Sequence, residues 1–202
     1  QGTSVSNGRI YRVAMNKDGT VIATGEMNAS GNGKGSAGSV RVWVYNGIDT
    51  WIQVGQDIDG QAGSDYSGTA ISLNDDGTRI AIGASDNDDN GNRSGHVRIW
   101  EYSNSNMSSG GSWTQIGQSI VGTASGMETG TVLAFNGDGS VVTTTEVEAH
   151  GTLHNYDEGL LRIWLYNGTD TWNQIGQNIY GDQQDGHYGL NVTINSTGDI
   201  VA

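Results

Sequence analysis

The chain has 202 residues, of which 34% are hydrophobic and 33 are glycine, and it carries a formal net charge of −13 with only 9 Lys plus Arg. So acidic a surface repels phosphate backbones and anionic lipid, which argues against nucleic-acid and membrane-surface binding. Cysteine is absent, which excludes disulfides, thiolate nucleophiles and Cys-ligated zinc, and no run of about 18 apolar residues is present to span a bilayer. No signal peptide is visible and Gln1 is not an initiator Met, so the sequence reads as a processed or partial product.

The predicted elements begin with Val13-Ala-Met-Asn16-Lys-Asp18-Gly19-Thr, a strand ending in an Asn-x-Asp-Gly turn. Asp18 and Gly19 are expected to supply the positive-φ positions of a tight hairpin. Val21-Ile-Ala-Thr-Gly follows as a second strand, then a polar loop, then Val40-Arg-Val-Trp-Val-Tyr45 as a third. Val40, Val42 and Val44 share one face of that strand, and Arg41, Trp43 and Tyr45 the other. Bulk on both faces predicts a sheet packed between two neighbours. A short hairpin leads to a fourth strand, Trp51-Ile-Gln-Val-Gly-Gln-Asp-Ile58.

The same order then recurs. The second unit holds Ile71-Ser-Leu-Asn-Asp-Asp-Gly-Thr, Arg79-Ile-Ala-Ile-Gly, Val97-Arg-Ile-Trp-Glu-Tyr and Trp113-Thr-Gln-Ile-Gly-Gln-Ser-Ile. The third holds Leu133-Ala-Phe-Asn-Gly-Asp-Gly-Ser, Val141-Val-Thr-Thr-Thr, Leu161-Arg-Ile-Trp-Leu-Tyr and Trp172-Asn-Gln-Ile-Gly-Gln-Asn-Ile. A further copy of the opening segment begins at Val192-Thr-Ile-Asn-Ser-Thr-Gly-Asp. This repeat of about 60 residues is the strongest signal in the chain. It divides a single region, 1–202, into units at about 2–61, 62–124 and 125–183 and a partial unit at 184–202. No segment shows a sustained helical period.

Four short antiparallel strands per unit, repeated, predict an all-β fold of the β-propeller type: three blades and a partial fourth. Propellers close with roughly four to eight blades. The expectation is therefore a fragment of a larger propeller, whose remaining blades come from the same chain or from other protein chains. An open β-solenoid stack is the structural alternative.

The units resemble the integrin-alpha-like, FG-GAP-related propeller repeats of secreted marine microbial and algal proteins. The segments Tyr66-Ser-Gly-Thr-Ala-Ile-Ser-Leu-Asn-Asp-Asp-Gly-Thr-Arg-Ile-Ala-Ile-Gly-Ala, Ser94-Gly-His-Val-Arg-Ile-Trp-Glu-Tyr and Trp113-Thr-Gln-Ile-Gly carry the resemblance, which covers nearly the whole chain. It implies adhesion or recognition, with Asp-rich calcium loops in some blades. The chain departs from the Phe-Gly…Gly-Ala-Pro signature, since Ala84 is followed by Ser85 and proline is absent.

Asp86, Asp88 and Asn90 have the D-x-D-x-N-G spacing of a calcium loop, with Ser94 following where a further ligand would stand. Alternate side-chain oxygens then address one centre, and Gly91 permits the sharp turn. The same residues also build ion-free acidic turns. The loop of the third unit is the most individual. Its His150, His154, Tyr156, Asp157 and Glu158 are the candidates for reading a partner. Sequons at Asn28, Asn92, Asn106 and Asn167 fall in expected loops, where glycans can be carried. Two more, at Asn191 and Asn195, lie in or beside a first strand.

Arg41, Arg98 and Arg162 recur at one position of the third strand, and the Trp residues recur likewise. A residue present in every unit is expected to hold units together, because chemistry needs one unique site. No nucleophile elbow, phosphate loop or fixed carboxylate pair is evident. The expected function is a non-catalytic extracellular module for adhesion, recognition or scaffolding in a cell-surface or secreted assembly. A carbohydrate-binding lectin is the alternative, and a propeller hydrolase the weaker one.

Overall fold

The computed structural model describes residues 9–107, 110–149, 158–181 and 191–202. They form an all-β chain of three antiparallel sheets. The one helical turn among the described residues is a 3-10 turn at Gly31–Gly33, and no described helix is long and apolar enough to cross a membrane.

Sheet 1 contains β1 (Arg12–Met15), β2 (Val21–Glu26), β3 (Ser39–Tyr45), β4 (Trp51–Gln53) and β5 (Ile58–Asp59). Sheet 2 contains β6 (Ala70–Leu73), β7 (Arg79–Ala84), β8 (His96–Tyr102), β9 (Trp113–Gln115) and β10 (Ile120–Val121). Sheet 3 contains β11 (Leu133–Phe135), β12 (Val141–Glu146), β13 (Leu160–Tyr166) and β14 (Trp172–Tyr180). Each sheet runs in sequence order from its first strand to its fourth. In sheets 1 and 2 the fourth strand is broken into two pieces, both paired with the third strand. The break falls at Gly55 and Gly117, each with φ of +72°. An antiparallel bridge between Ile194 and Val201 opens a fourth unit.

The first hairpin of each unit differs from the tight turn that the sequence predicts. Asn16 N–H bonds to the Val21 carbonyl at 3.0 Å, so four residues are enclosed. Gly19 has φ of +70°, whereas Asp18 is not left-handed. The side chain of Asn16 does the work assigned to a second special backbone position. Its Oδ1 accepts the N–H groups of Thr20 and Val21, both at 2.9 Å. Asn74, Asn136 and Asn195 repeat the device. A short amide side chain that satisfies its own neighbourhood's N–H groups is a well-founded turn former.

These turns also touch one another. Lys17 N–H donates to the Asp75 carbonyl at 3.3 Å, Asp75 N–H to the Gly137 carbonyl at 2.7 Å, and Gly137 N–H to the Ser196 carbonyl at 2.9 Å. Successive units are thereby pinned turn to turn.

The core lies between the sheets. Val21, Ala23, Val40, Val42 and Ile58 of sheet 1 meet Leu73, Ile80, Ile82 and Trp113 of sheet 2. Ala81, Val97, Ile99 and Ile120 of sheet 2 meet Leu133, Phe135, Val142 and Trp172 of sheet 3. The period-two alternation of β7 sends Ile80 and Ile82 to one neighbour and Ala81 to the other. Sheet 2 is thus buried on both faces, as its sequence predicts. The outer face of sheet 1 is different: Val13 and Met15 are exposed there.

Candidate functional site

The recurring Trp-x-Gln-x-Gly-Gln segment is a clasp between sheets. Trp113 Nε1 donates to the Val54 carbonyl at 3.0 Å. Gln56 reaches across to the same tryptophan: its Oε1 accepts Trp113 N–H at 3.1 Å and its Nε2 donates to the Trp113 carbonyl at 2.7 Å. One unit later Trp172 repeats this with Ile116 and Gln118, at 3.0, 3.0 and 2.7 Å. The Cδ1–Nε1 edge of the indole abuts the glycine: a Cβ on Gly55 would stand 2.6 Å from Trp113 Cδ1, and one on Gly117 2.5 Å from Trp172 Cδ1. The first copy of the tryptophan behaves differently. Trp51 is 37% exposed, whereas Trp113 and Trp172 are buried.

The recurring arginine makes a second clasp. Arg98 Nη2 donates to the Asp59 carbonyl and Arg162 Nη2 to the Val121 carbonyl, both at 2.9 Å. Each guanidinium therefore reaches a backbone carbonyl of the preceding sheet. Arg98 and Arg162 stack on Trp100 and Trp164, 5.2 and 4.9 Å from the ring centres. Arg162 also pairs with Glu146, which is fully buried and takes the Thr123 hydroxyl at 2.6 Å.

Sheet 2 departs from its neighbours at one point. Position 96 is His where sheets 1 and 3 have Ser39 and Leu160. His96 is fully buried, with Nδ1 3.1 Å from Asp89 Oδ2. Burial, then the charge of Arg98, hold its pKa below the ordinary value against the pull of Asp89. His96 Nε2, Arg98 Nε and Trp100 Nε1 all lack a hydrogen-bond partner among the described residues. In the other sheets the tryptophan at the Trp100 position donates to a threonine: Trp43 to Thr24 Oγ1 and Trp164 to Thr144 Oγ1. Sheet 2 has Ile82 there. Sequence reasoning missed this polar seam, although a histidine that breaks a repeat pattern was the signal for it.

Of the calcium-loop candidates, Asp86 and Asp88 converge on one residue. Asp86 Oδ2 lies 3.3 Å from Arg93 Nε, and Asp88 Oδ1 accepts Arg93 N–H at 2.7 Å. Arg93 also pairs with Glu128 at 2.6 Å. Burial raises the Glu128 pKa and Arg93 opposes it. Asn90 points elsewhere, its Nδ2 donating to the Gly122 carbonyl at 2.8 Å. The Ser94 hydroxyl is buried and donates to the Asn87 carbonyl at 3.1 Å.

His150, His154, Tyr156 and Asp157 lie outside the described residues. Glu158 is buried just before β13, and Gly159 N–H beside it bonds to the Ala149 carbonyl. Asn28, Asn92, Asn106 and Asn167 are all exposed.

A cleft of about 80 Å³ opens on sheet 1, lined by Ser30, Asn32, Ser39, Arg41, Asp57 and Asp59 among others. Arg41 is held there between Asp57, at 2.9 Å, and Glu26, at 2.5 Å. The corresponding residues of sheet 2, His96 and Arg98, are buried against sheet 1. The cleft is therefore the open half of an inter-sheet contact.

No family model matches the chain, and no curated protein matches it. Among solved structures, the periplasmic gluconolactonase of Pseudomonas aeruginosa is similar at 12% identity and a TM-score of 0.40, over 94% of this chain and 63% of that one. The chain spans less than two thirds of the length of that enzyme.

Proposed function

We propose that the chain is a non-catalytic recognition or scaffold module: three blades and the start of a fourth of an extracellular β-propeller of the integrin-alpha-like, FG-GAP-related kind. The clasps carry this reading. The repeated Trp, Gly-Gln and Arg residues hold sheet to sheet, so individuality is left to the loops between second and third strands. Those loops join the same pair of strands in each unit and differ in sequence across 27–38, 85–95 and 147–159. Variable loops on a rigid frame suit partner binding. Exposed sequons and the acidic surface fit a secreted glycoprotein. In this reading calcium at the Asp86 loop is an optional structural ion.

A lectin role is the second reading. The cleft at Arg41 favours it, because carboxylate, guanidinium, hydroxyl and amide groups there match the donors and acceptors of a sugar ring. The experiment is glycopeptide mapping with cell fractionation of the native material. Sugar on any of the four loop sequons and an extracellular location are expected. Unmodified sequons on a cytosolic protein would sink the extracellular module, and measurable sugar affinity lost in Arg41→Ala would replace it by the lectin.

A further inference from the structure

An asparagine followed by glycine is open to attack by its own backbone, because the glycine nitrogen has no neighbouring Cβ to shield it. Five such pairs lie among the described residues: Asn32-Gly33, Asn46-Gly47, Asn90-Gly91, Asn136-Gly137 and Asn167-Gly168. In three of them the glycine N–H is already engaged. Gly33 donates to the Ser30 carbonyl at 3.1 Å, Gly91 to the Asp88 carbonyl at 3.1 Å and Gly137 to the Ser196 carbonyl at 2.9 Å. Asn136 is also buried.

Asn46-Gly47 and Asn167-Gly168 differ. They begin the tips of the β3–β4 and β13–β14 hairpins and are exposed. Neither glycine N–H donates to a backbone carbonyl among the described residues, and a Cβ on either glycine would meet nothing within 4 Å. The asparagine oxygens, by contrast, are firmly held. Asn46 Oδ1 accepts the N–H groups of Ile48, Asp49 and Thr50 at 2.9, 3.0 and 3.1 Å. Asn167 Oδ1 accepts those of Thr169 and Thr171 at 2.8 and 3.0 Å. Backbone N–H groups that converge on a carbonyl oxygen stabilise negative charge developing there when its carbon is attacked. These two tips thus combine a free nucleophile with a polarised target.

We infer that Asn46 and Asn167 are self-modification sites, where the chain's own backbone converts asparagine to aspartate and isoaspartate. The Gly47 nitrogen gives its proton to solvent base and its electron pair to Asn46 Cγ. The new N–Cγ bond places negative charge on Oδ1, in the grip of the three N–H groups. As that charge returns to carbon, the Cγ–Nδ2 bond breaks, the amine takes a proton from water, and ammonia leaves a cyclic succinimide. Water then opens the ring. Cleavage at Cγ restores the ordinary backbone with an aspartate. Cleavage at the main-chain carbonyl of Asn46 leaves isoaspartate, with one more methylene in the chain. Gly168 and Asn167 follow the same course. Each event adds one negative charge to a hairpin tip. Asn167 heads a sequon, and a sugar on its Nδ2 would block the departure of ammonia; Asn46, followed by Gly47 and Ile48, heads none.

The test incubates the full chain, made without glycans, in mildly alkaline water labelled with heavy oxygen, once folded and once in concentrated urea. Peptide mapping by mass spectrometry reads the label at each asparagine. In urea the five pairs are expected to react alike. In the folded chain Asn46 and Asn167 should take up label at least as fast as in urea, while Asn32, Asn90 and Asn136 fall about tenfold or more below their urea rates. Slowing of that size at Asn46 and Asn167 too, or no label at either, overturns the inference. Gly47→Ala should suppress label at Asn46 and leave Asn167 as it was. Undiminished label at Asn46 in that variant would mean direct hydrolysis of the amide, and would also overturn it. No partner, sugar or cell enters this measurement, so its failure is separable from failure of the recognition role.

Discussion

Gln118 grips the backbone of Trp172 from both sides, its Oε1 accepting the tryptophan N–H at 3.0 Å and its Nε2 donating to the tryptophan carbonyl at 2.7 Å. The two residues lie on the fourth strands of adjacent units, so a single side chain closes the outer margin of one sheet against the next. Gln177 is the same residue with no tryptophan in its grip among the described residues.

That contrast supplies a matched pair. Gln118→Ala leaves two backbone groups of a buried Trp172 without partners, which costs about 1–3 kcal/mol. For a chain of this size each kcal/mol lowers the melting temperature by about 2–4 °C. Gln177→Ala is expected to leave the melting temperature where it is. Equal effects in thermal denaturation would refute the clasp.

Gly117 and Gly176 separate backbone strain from steric contact. Their φ values are +72° and +71°, so alanine at either carries the same left-handed penalty of about 1–2 kcal/mol. Only at Gly117 does the new Cβ strike an indole, 2.5 Å from Trp172 Cδ1. Gly117→Ala should therefore destabilise clearly more than Gly176→Ala, as read from urea midpoints.

His96 makes stability depend on pH. Its folded pKa is depressed by burial and by Arg98, while the unfolded chain titrates near the ordinary value of 6.5. Below that value the unfolded chain takes up a proton that the folded chain refuses. Stability is therefore full above it and falls as the pH drops toward the depressed folded pKa, with a slope of up to about 1.4 kcal/mol per pH unit. The charged groups facing the ring are Asp89, Arg98 and Asp65. His96→Leu, the residue at the matching place in sheet 3, should flatten the decline in melting temperature between pH 7.5 and about 5.5. An unchanged decline would assign the effect to other groups.

Arg162 and Arg41 occupy the same position with different burial. Arg162→Met strands the fully buried Glu146, at a cost of about 3–5 kcal/mol. Arg41→Met acts on a part-buried pair that keeps some contact with solvent and should cost less than Arg162→Met. Adding Glu146→Gln to the first variant should recover part of its loss. A double mutant no better than the single would show that stacking on Trp164 matters more than charge.

The Asp86 loop gives a test of calcium. Arg93 already places a cation between Asp86 and Glu128. A chelator is accordingly expected to leave the melting temperature of the chain unchanged. A fall on chelation, restored by calcium, would show an ion that the loop needs.

The repeat, the four strands of each unit and the two-sided burial of sheet 2 were legible in the sequence, because period-two alternation and turn residues act locally. That the recurring Arg and Trp residues hold units together was legible too; which groups they grip was not. Trp113 and Gln56 recur as if each belonged to its own strand, and nothing in one unit says that the partner of its tryptophan stands in the unit before. The turn at Asn16 was read as backbone chemistry because Asp-Gly usually is; the side chain of Asn16 does that work instead. Glu158 does stand in the loop just before β13, but it is buried there, which composition alone does not show.

Sheet 2 has described neighbours covering both faces, and each of those faces is closed by a clasp from the adjoining unit. In an array whose units touch mainly their neighbours, stability is close to a sum over units and the contacts between them. Each unit that opens strips one clasp from the next, so the loss of one sheet is felt first by the sheet it clasps.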